Sequence, residues 1–202
     1  MSYHQRALAL LQRPVLPSVG VAQALDHLAA VHGISLPQAV REWLCLDPDT
    51  HLFHMMTHFP HAFVSLHDLP SHVARYRFAT REVLAVNVIF ENQGCFVMAV
   101  SLEDGDDPPV WVSEDFNVCG DAPPTWALQS HSFSDCIEAF AWDYDVSGTP
   151  DYEERFLSAE SIPERAWQPM DGPTTFAASA WFRCRVFRRM VHNGKRVTVL
   201  IE

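Results

Sequence analysis

His51, His54, His58 and His61 follow one another at spacings of 3, 4 and 3. On a helix that spacing would place all four imidazoles on one face. Histidine is a common metal ligand, and a pair at i, i+4 can chelate one ion. His54 and His58 have that separation, but HMMTH lacks the glutamate that HExxH hydrolases use as general base. Pro60 would interrupt a helix that had to present His61, and no Asp or Glu between Thr50 and His67 completes a ligand set. The segment reads as a His-rich loop packing against the core. No metal and no other cofactor is expected, and a metal-dependent hydrolase built on His51–His61 stays as an alternative.

Nucleophilic chemistry has no better foothold. The chain has no GxSxG elbow, no P-loop, no GxGxxG and no CxxC. A triad picked from eleven histidines and many serines would be arbitrary. Cys45, Cys95, Cys119, Cys136 and Cys184 are odd in number and widely spaced, which argues against a disulfide framework or a thiolate zinc site. They read as small buried hydrophobes. Asp104, Asp106 and Asp107 share one loop, and adjacent loop carboxylates lack the differing environments that split catalytic pKa values. The ordered ligand spacing of a calcium loop is missing as well. No catalytic residue, and no enzyme, is expected.

Charge points elsewhere. The formal net charge is −11, and residues 91–171 hold 18 Asp and Glu against only Arg155 and Arg165, a local balance of −16. Residues 177–202 carry six cations against Glu202, a balance of +5. An acidic body repels nucleic acid and anionic membrane and steers basic partners inward. Ordinary solubility is the competing explanation, although it needs less concentrated charge. No aromatic stacking motif accompanies the tail arginines, so neither nucleic acid nor membrane is an expected partner. No run approaches the roughly 18 apolar residues of a spanning helix, and MSYHQRALALLQRP has no apolar h-region or cleavage site. A cytoplasmic protein is expected.

The elements that must position these groups follow from periodicity. With 202 residues and 48 % apolar content the chain can bury a core. Residues 2–13 suit a short helix ending before Pro14. VAQALDHLAAVHG, 21–33, has helical spacing and stops at Gly33. SLPQAVREWLCL predicts a third helix with a capping box from Ser35 and Gln38. Residues 47–80 read as mostly loop. Strands are predicted at 83–90, 95–102, VWVSE and TWALQ, then a helix over 132–146 capped by Ser132 and Asp135. Asn193-Gly194 between β-rich runs predicts a C-terminal hairpin. The fold class is therefore α+β: N-terminal helices packed on a mainly antiparallel sheet, a further helix near 132–146, and a terminal β-hairpin.

LPQAVREWL, LHDLP, FENQGCFVMAVSLEDGDDPPVWV and SFSDCIEAFAW occur in that order. In this the chain resembles the bacterial SUKH superfamily, where an LPxxxREW helix, an ENQG turn, a DPPVWV strand and an SFSxF helix recur. The resemblance covers residues 33–146. It implies a non-enzymatic α+β domain; many members are immunity proteins that bind and block toxin domains, often nucleases, and others regulate cell-wall synthesis. A single SUKH-like domain over 1–202 is expected, with 147–202 as an acidic loop and hairpin extension. The implied partner is a cognate toxin with a basic surface, and a homodimer stays open. Gly94 and Asn92 suit a tight turn, and Pro108-Pro109 stiffen the approach to an edge strand, so the loop before them sits on a rigid scaffold. On charge alone, Asp104, Asp106, Asp107, Glu114 and Asp115 are the candidate partner contacts. A regulatory protein-interaction scaffold is the alternative.

Overall fold

Runs of Val, Ile, Ala and aromatic residues between 61 and 130 build one sheet, as their preference for a half-buried pleated surface dictates. A computed structural model describes residues 3–11, 16–46, 61–91, 96–114, 123–145, 175–177, 185–192 and 195–201. Three helices come first: α1 (Gln5–Leu11), α2 (Val19–His32) and α3 (Gln38–Leu44). Six strands follow: β1 (His61–Phe63), β2 (Val73–Phe78), β3 (Arg81–Glu91), β4 (Val97–Ser101), β5 (Val110–Ser113) and β6 (Ala127–Ser130). Helix α4 (Phe133–Asp145) then precedes a three-stranded antiparallel sheet of β7 (Thr175–Ala177), β8 (Arg185–His192) and β9 (Lys195–Ile201). The architecture is α+β.

The main sheet is antiparallel throughout and runs β1-β3-β4-β5-β6, with β2 also paired to β3. β1 pairs with residues 89–91 and β2 with residues 81–86, so the two share one edge of the long β3. On one face Val86, Ile89, Met98, Val100, Val110 and Val112 join Ala39, Val40, Trp43, Phe133, Ile137 and Ala141 in the main core. On the other face Phe78, Val83, Ala85 and Ala99 form a second cluster under Tyr76, Trp111 and Trp126. A bulge at Val88, between the Asn87 and Ile89 pairings, leaves Val88 and Ile89 both in the main core.

The helix ends are set locally. Ser18 accepts the Val21 N–H at the start of α2, and Gly33 ends it at φ 67°, with its N–H on the Ala29 carbonyl. That left-handed conformation suits glycine. Ser132 Oγ accepts the Asp135 N–H at 3.1 Å and starts α4, while Phe133, Ile137 and Ala141 are buried in the core as the apolar stripe requires.

Three expectations need correction. The capping box from Ser35 and Gln38 does not form: Pro37 is the N-cap of α3, it makes no side-chain cap bond, and Gln38 donates instead to Glu42 one turn on. Ser35 stands two residues before the cap, so its hydroxyl is out of register with the first turn. Residues 61–78, read as mostly loop, contain β1, a 3-10 turn at Leu69–His72 and β2. Pro60 and Pro70 give the segment a loop-like composition that outweighs the alternation in VARYRF. The first helix also starts later than residue 2: residues 3 and 4 are bent, and the helix described is Gln5–Leu11. The C-terminal hairpin pairing is as expected, β8 running antiparallel to β9 with His192 opposite Lys195, and β7 adds a third strand to it.

Candidate functional site

The β4–β5 connection, residues 102–109, is where most of the predicted contacts fall, and its acids are largely engaged. Glu103 Oε1 accepts the Leu84 N–H at 3.2 Å, and the Leu102 N–H donates to the Leu84 carbonyl at 2.9 Å, so the β3–β4 ladder continues into the loop. Asp104 pairs with Arg81 at the start of β3. Gly105 takes φ 83°, the left-handed region in which a side chain would be strained, and turns the chain towards the helices.

The next two residues tie the loop to both helix bundle ends. The Asp106 carbonyl accepts the Ala39 N–H at 2.8 Å, capping the first turn of α3 with a peptide oxygen. Asp107 accepts from the Ser134 N–H at 2.9 Å and from the Ser134 hydroxyl at 2.5 Å. Its carboxylate thus sits at the positive end of α4, where a negative charge is favoured. The loop holds α3 and α4 at once, which explains why two prolines follow it: Pro108 is buried and fixes the chain direction into β5.

Around this clamp a groove is lined by Tyr3, Gln5, Arg6, Ser134, Asp135 and Glu138. Glu42 borders it, accepting the Tyr3 N–H at 3.2 Å. Burial raises the Tyr3 phenol above its ordinary pKa, and the negative charges of Asp106, Asp107 and Glu42 push the same way. Glu138 is buried and lies 3.7 Å from exposed Arg6. Beneath the groove His4 is buried, its Nε2–H donating to the Ala39 carbonyl at 2.7 Å. Its ring meets Trp43 and Phe133 edge-on, and burial lowers its pKa despite the raising effects of that bond and of nearby acids.

The four predicted contacts among the described residues therefore do not form one patch. Asp104 and Asp107 are anchors, Asp106 is exposed in the loop and acts on Tyr3 through its charge, and Glu114 lies at the far end of β5. At about 3.3 Å per residue, β5 alone separates Glu114 from the loop by more than 10 Å. Asp115 lies outside the described residues, as do His51, His54 and His58. His61 is on β1, a strand, so it does not continue a helical face. Among the described residues no group of three or more His, Cys, Asp or Glu side chains is placed to hold a metal ion. Nor is any described helix long and apolar enough to cross a membrane.

Sequence reasoning missed Tyr3, Glu42, Asp135 and Glu138. Glu42 and Asp135 were visible as helix residues, yet that both come near Tyr3 depends on how the β4–β5 loop docks two helix starts, a tertiary fact with no local signature. Asp135 and Glu138 against Arg6 leave the groove lining net acidic, and it is built on fixed backbone, a geometry suited to holding a cationic surface without rearranging. Comparisons with protein families, curated proteins and solved structures return no match.

Proposed function

We propose that this chain is a non-enzymatic, cytoplasmic binding protein of the SUKH type, which neutralises a cognate toxin by seating the toxin's basic surface on the acidic groove beside the β4–β5 loop. The observation that carries the reading is the clamp. The Asp106 carbonyl and the Asp107 carboxylate are held by helix-terminal hydrogen bonds at 2.8 and 2.9 Å, so the backbone that carries the exposed Asp106 side chain has little ordering left to complete on binding. The ordered motifs from LPQAVREWL to SFSDCIEAFAW support the family, and the −16 balance of residues 91–171 supports a basic partner.

The contact set changes accordingly. Asp106, Glu42 and Asp135 supply the grip, Asp104 and Asp107 keep the grip in shape, and Glu114 belongs to a different region. Electrostatic steering is felt mainly in the association rate, which falls as salt screens exposed charge.

The test is stopped-flow association with the purified partner encoded beside this chain, measured across a salt series for the native protein and for Asp106→Lys/Asp135→Lys. The reading expects a rate that falls steeply with salt and a double variant that associates about tenfold or more slowly at low salt. A salt-independent rate unchanged in the double variant would remove the acidic groove from the interface.

A further inference from the structure

The second face of the main sheet carries a feature that the acidic groove does not use. β2 pairs with β3 from Val73↔Val86 to Phe78↔Arg81, and no described strand pairs with its other side. Phe78 and Arg81 flank a two-residue turn, so they form a mutually hydrogen-bonded pair. Alternation then directs the N–H and C=O of Tyr76 and Ala74 at β3, and those of Arg75 and Arg77 outward. The same two residues have exposed side chains.

Beside this edge lies an open groove of about 1240 Å³, counted out to solvent, walled by Arg75, Tyr76 and Arg77, by Glu82 opposite Arg77 on β3, and by Pro123, Pro124 and Trp126, so two cations face one acid. The sheet order places β2 and β6 at opposite edges, yet the Tyr76 and Trp126 rings are 4.8 Å apart and Phe78 stacks on Trp111 at 5.1 Å. With strands spaced about 4.8 Å, a flat sheet would hold β2 and β6 far beyond ring contact. The sheet therefore curls, and its two edges approach across the groove. Asn87 fixes the floor by donating to the Tyr76 hydroxyl at 3.1 Å, and its own Oδ1 is a buried acceptor with no donor among the described residues.

We propose that the β2 edge is a second docking site, which takes an extended acidic segment of another protein as an added antiparallel strand. The strand's backbone would pair with Arg75 and Arg77, acidic residues at alternate positions would lie opposite the two guanidinium groups, and the apolar residue between them would rest on Tyr76 and Trp126. Backbone pairing supplies affinity in this mode and alternate side chains supply selectivity. Charge selects the occupant. A second copy pairing antiparallel about Tyr76 would set Arg75 directly against Arg77 of that copy, and like charges opposite one another are destabilising.

The probe is a capped, fluorescein-labelled Val-Glu-Val-Glu-Val-Glu peptide, titrated into the full chain and read by anisotropy and amide chemical shifts. Its controls are Val-Lys-Val-Lys-Val-Lys, a copy of the acidic peptide N-methylated at alternate residues in either frame, and a dT oligonucleotide. The expected result is saturable binding of the acidic peptide alone, with shifts at residues 73–78, and a loss of about tenfold or more in Arg75→Glu/Arg77→Glu. Glu82 faces Arg77 across the hairpin, so the variant also carries Glu82→Arg to keep opposite charges there; it is expected to accept the lysine peptide and to keep the native melting temperature, which separates lost binding from lost folding. Failure of the acidic peptide to bind, or equal binding of both N-methylated copies, overturns the proposal. Preferential binding of the oligonucleotide, or a dimer that Arg77→Pro disperses, overturns it in favour of nucleic acid or a second copy.

Discussion

Asp107→Ala separates an anchoring carboxylate from a contacting one. The native side chain accepts the Ser134 N–H at 2.9 Å and the Ser134 hydroxyl at 2.5 Å, at the first turn of α4. Loss of a helix-capping acceptor costs about 1 kcal/mol, and loss of the charge at the dipole's positive end adds about 0.3–1 kcal/mol. Because Ser134 is only partly exposed, its freed hydroxyl regains little from water, which brings the expected cost to about 2 kcal/mol. For a chain of this size that is a fall in melting temperature of about 4–8 °C. Asp106→Asn makes the internal comparison: its backbone carbonyl, not its side chain, caps α3, so stability should change by less than about 0.5 kcal/mol. Urea and thermal unfolding of both variants provide the assay. An Asp107→Ala protein as stable as the native one, or an Asp106→Asn protein that loses as much, would refute the clamp.

Other outcomes follow from the same structure. His4 is held neutral by burial, so its folded pKa lies below the unfolded value; the unfolded chain binds the proton first as pH falls through about 6.5, and stability drops from there towards the lower folded pKa. His4→Leu should flatten that part of the urea-midpoint profile, whereas an unchanged slope would assign the acid sensitivity to other groups. Ala79 turns the β2–β3 hairpin at φ 51°, which a Cβ disfavours; Ala79→Gly should raise stability by about 0.5–1 kcal/mol in chemical unfolding, and a loss would show that the residue is not strained. Phe133 is fully buried between the sheet, His4 and the start of α4, so Phe133→Ala should cost about 3–5 kcal/mol and carry partner binding down with folding.

Local chemistry made much of this fold readable. Gly33, the Ser132 cap, the β-branched run around Val86 and the β-rich runs that pair as β8 and β9 each carry their signal within a few residues, and each sits where that signal puts it. The failures have physical reasons. Ser35 resembled a cap, but the α3 start is served by a carbonyl from residue 106, which no window around residue 35 contains. β2 hid because its turn is Ala79-Thr80 rather than an Asn-Gly pair, and the strain at Ala79 is accepted to close it. Charge patterning found the β4–β5 loop but could not divide its acids, since Arg81 and Ser134 arrive from 23 and 27 residues away. The acidic groove, a product of three converging elements, was legible only as excess charge.

Growth of cells that co-express this chain with the product of the adjacent reading frame tests the central claim most directly. The account predicts that the neighbour's product alone arrests growth, that the native chain restores it and co-purifies with it, and that Asp106→Lys/Asp135→Lys restores it poorly while staying folded. A toxic neighbour product that this chain neither binds nor relieves, or a neighbour without toxicity or complex formation, would contradict it.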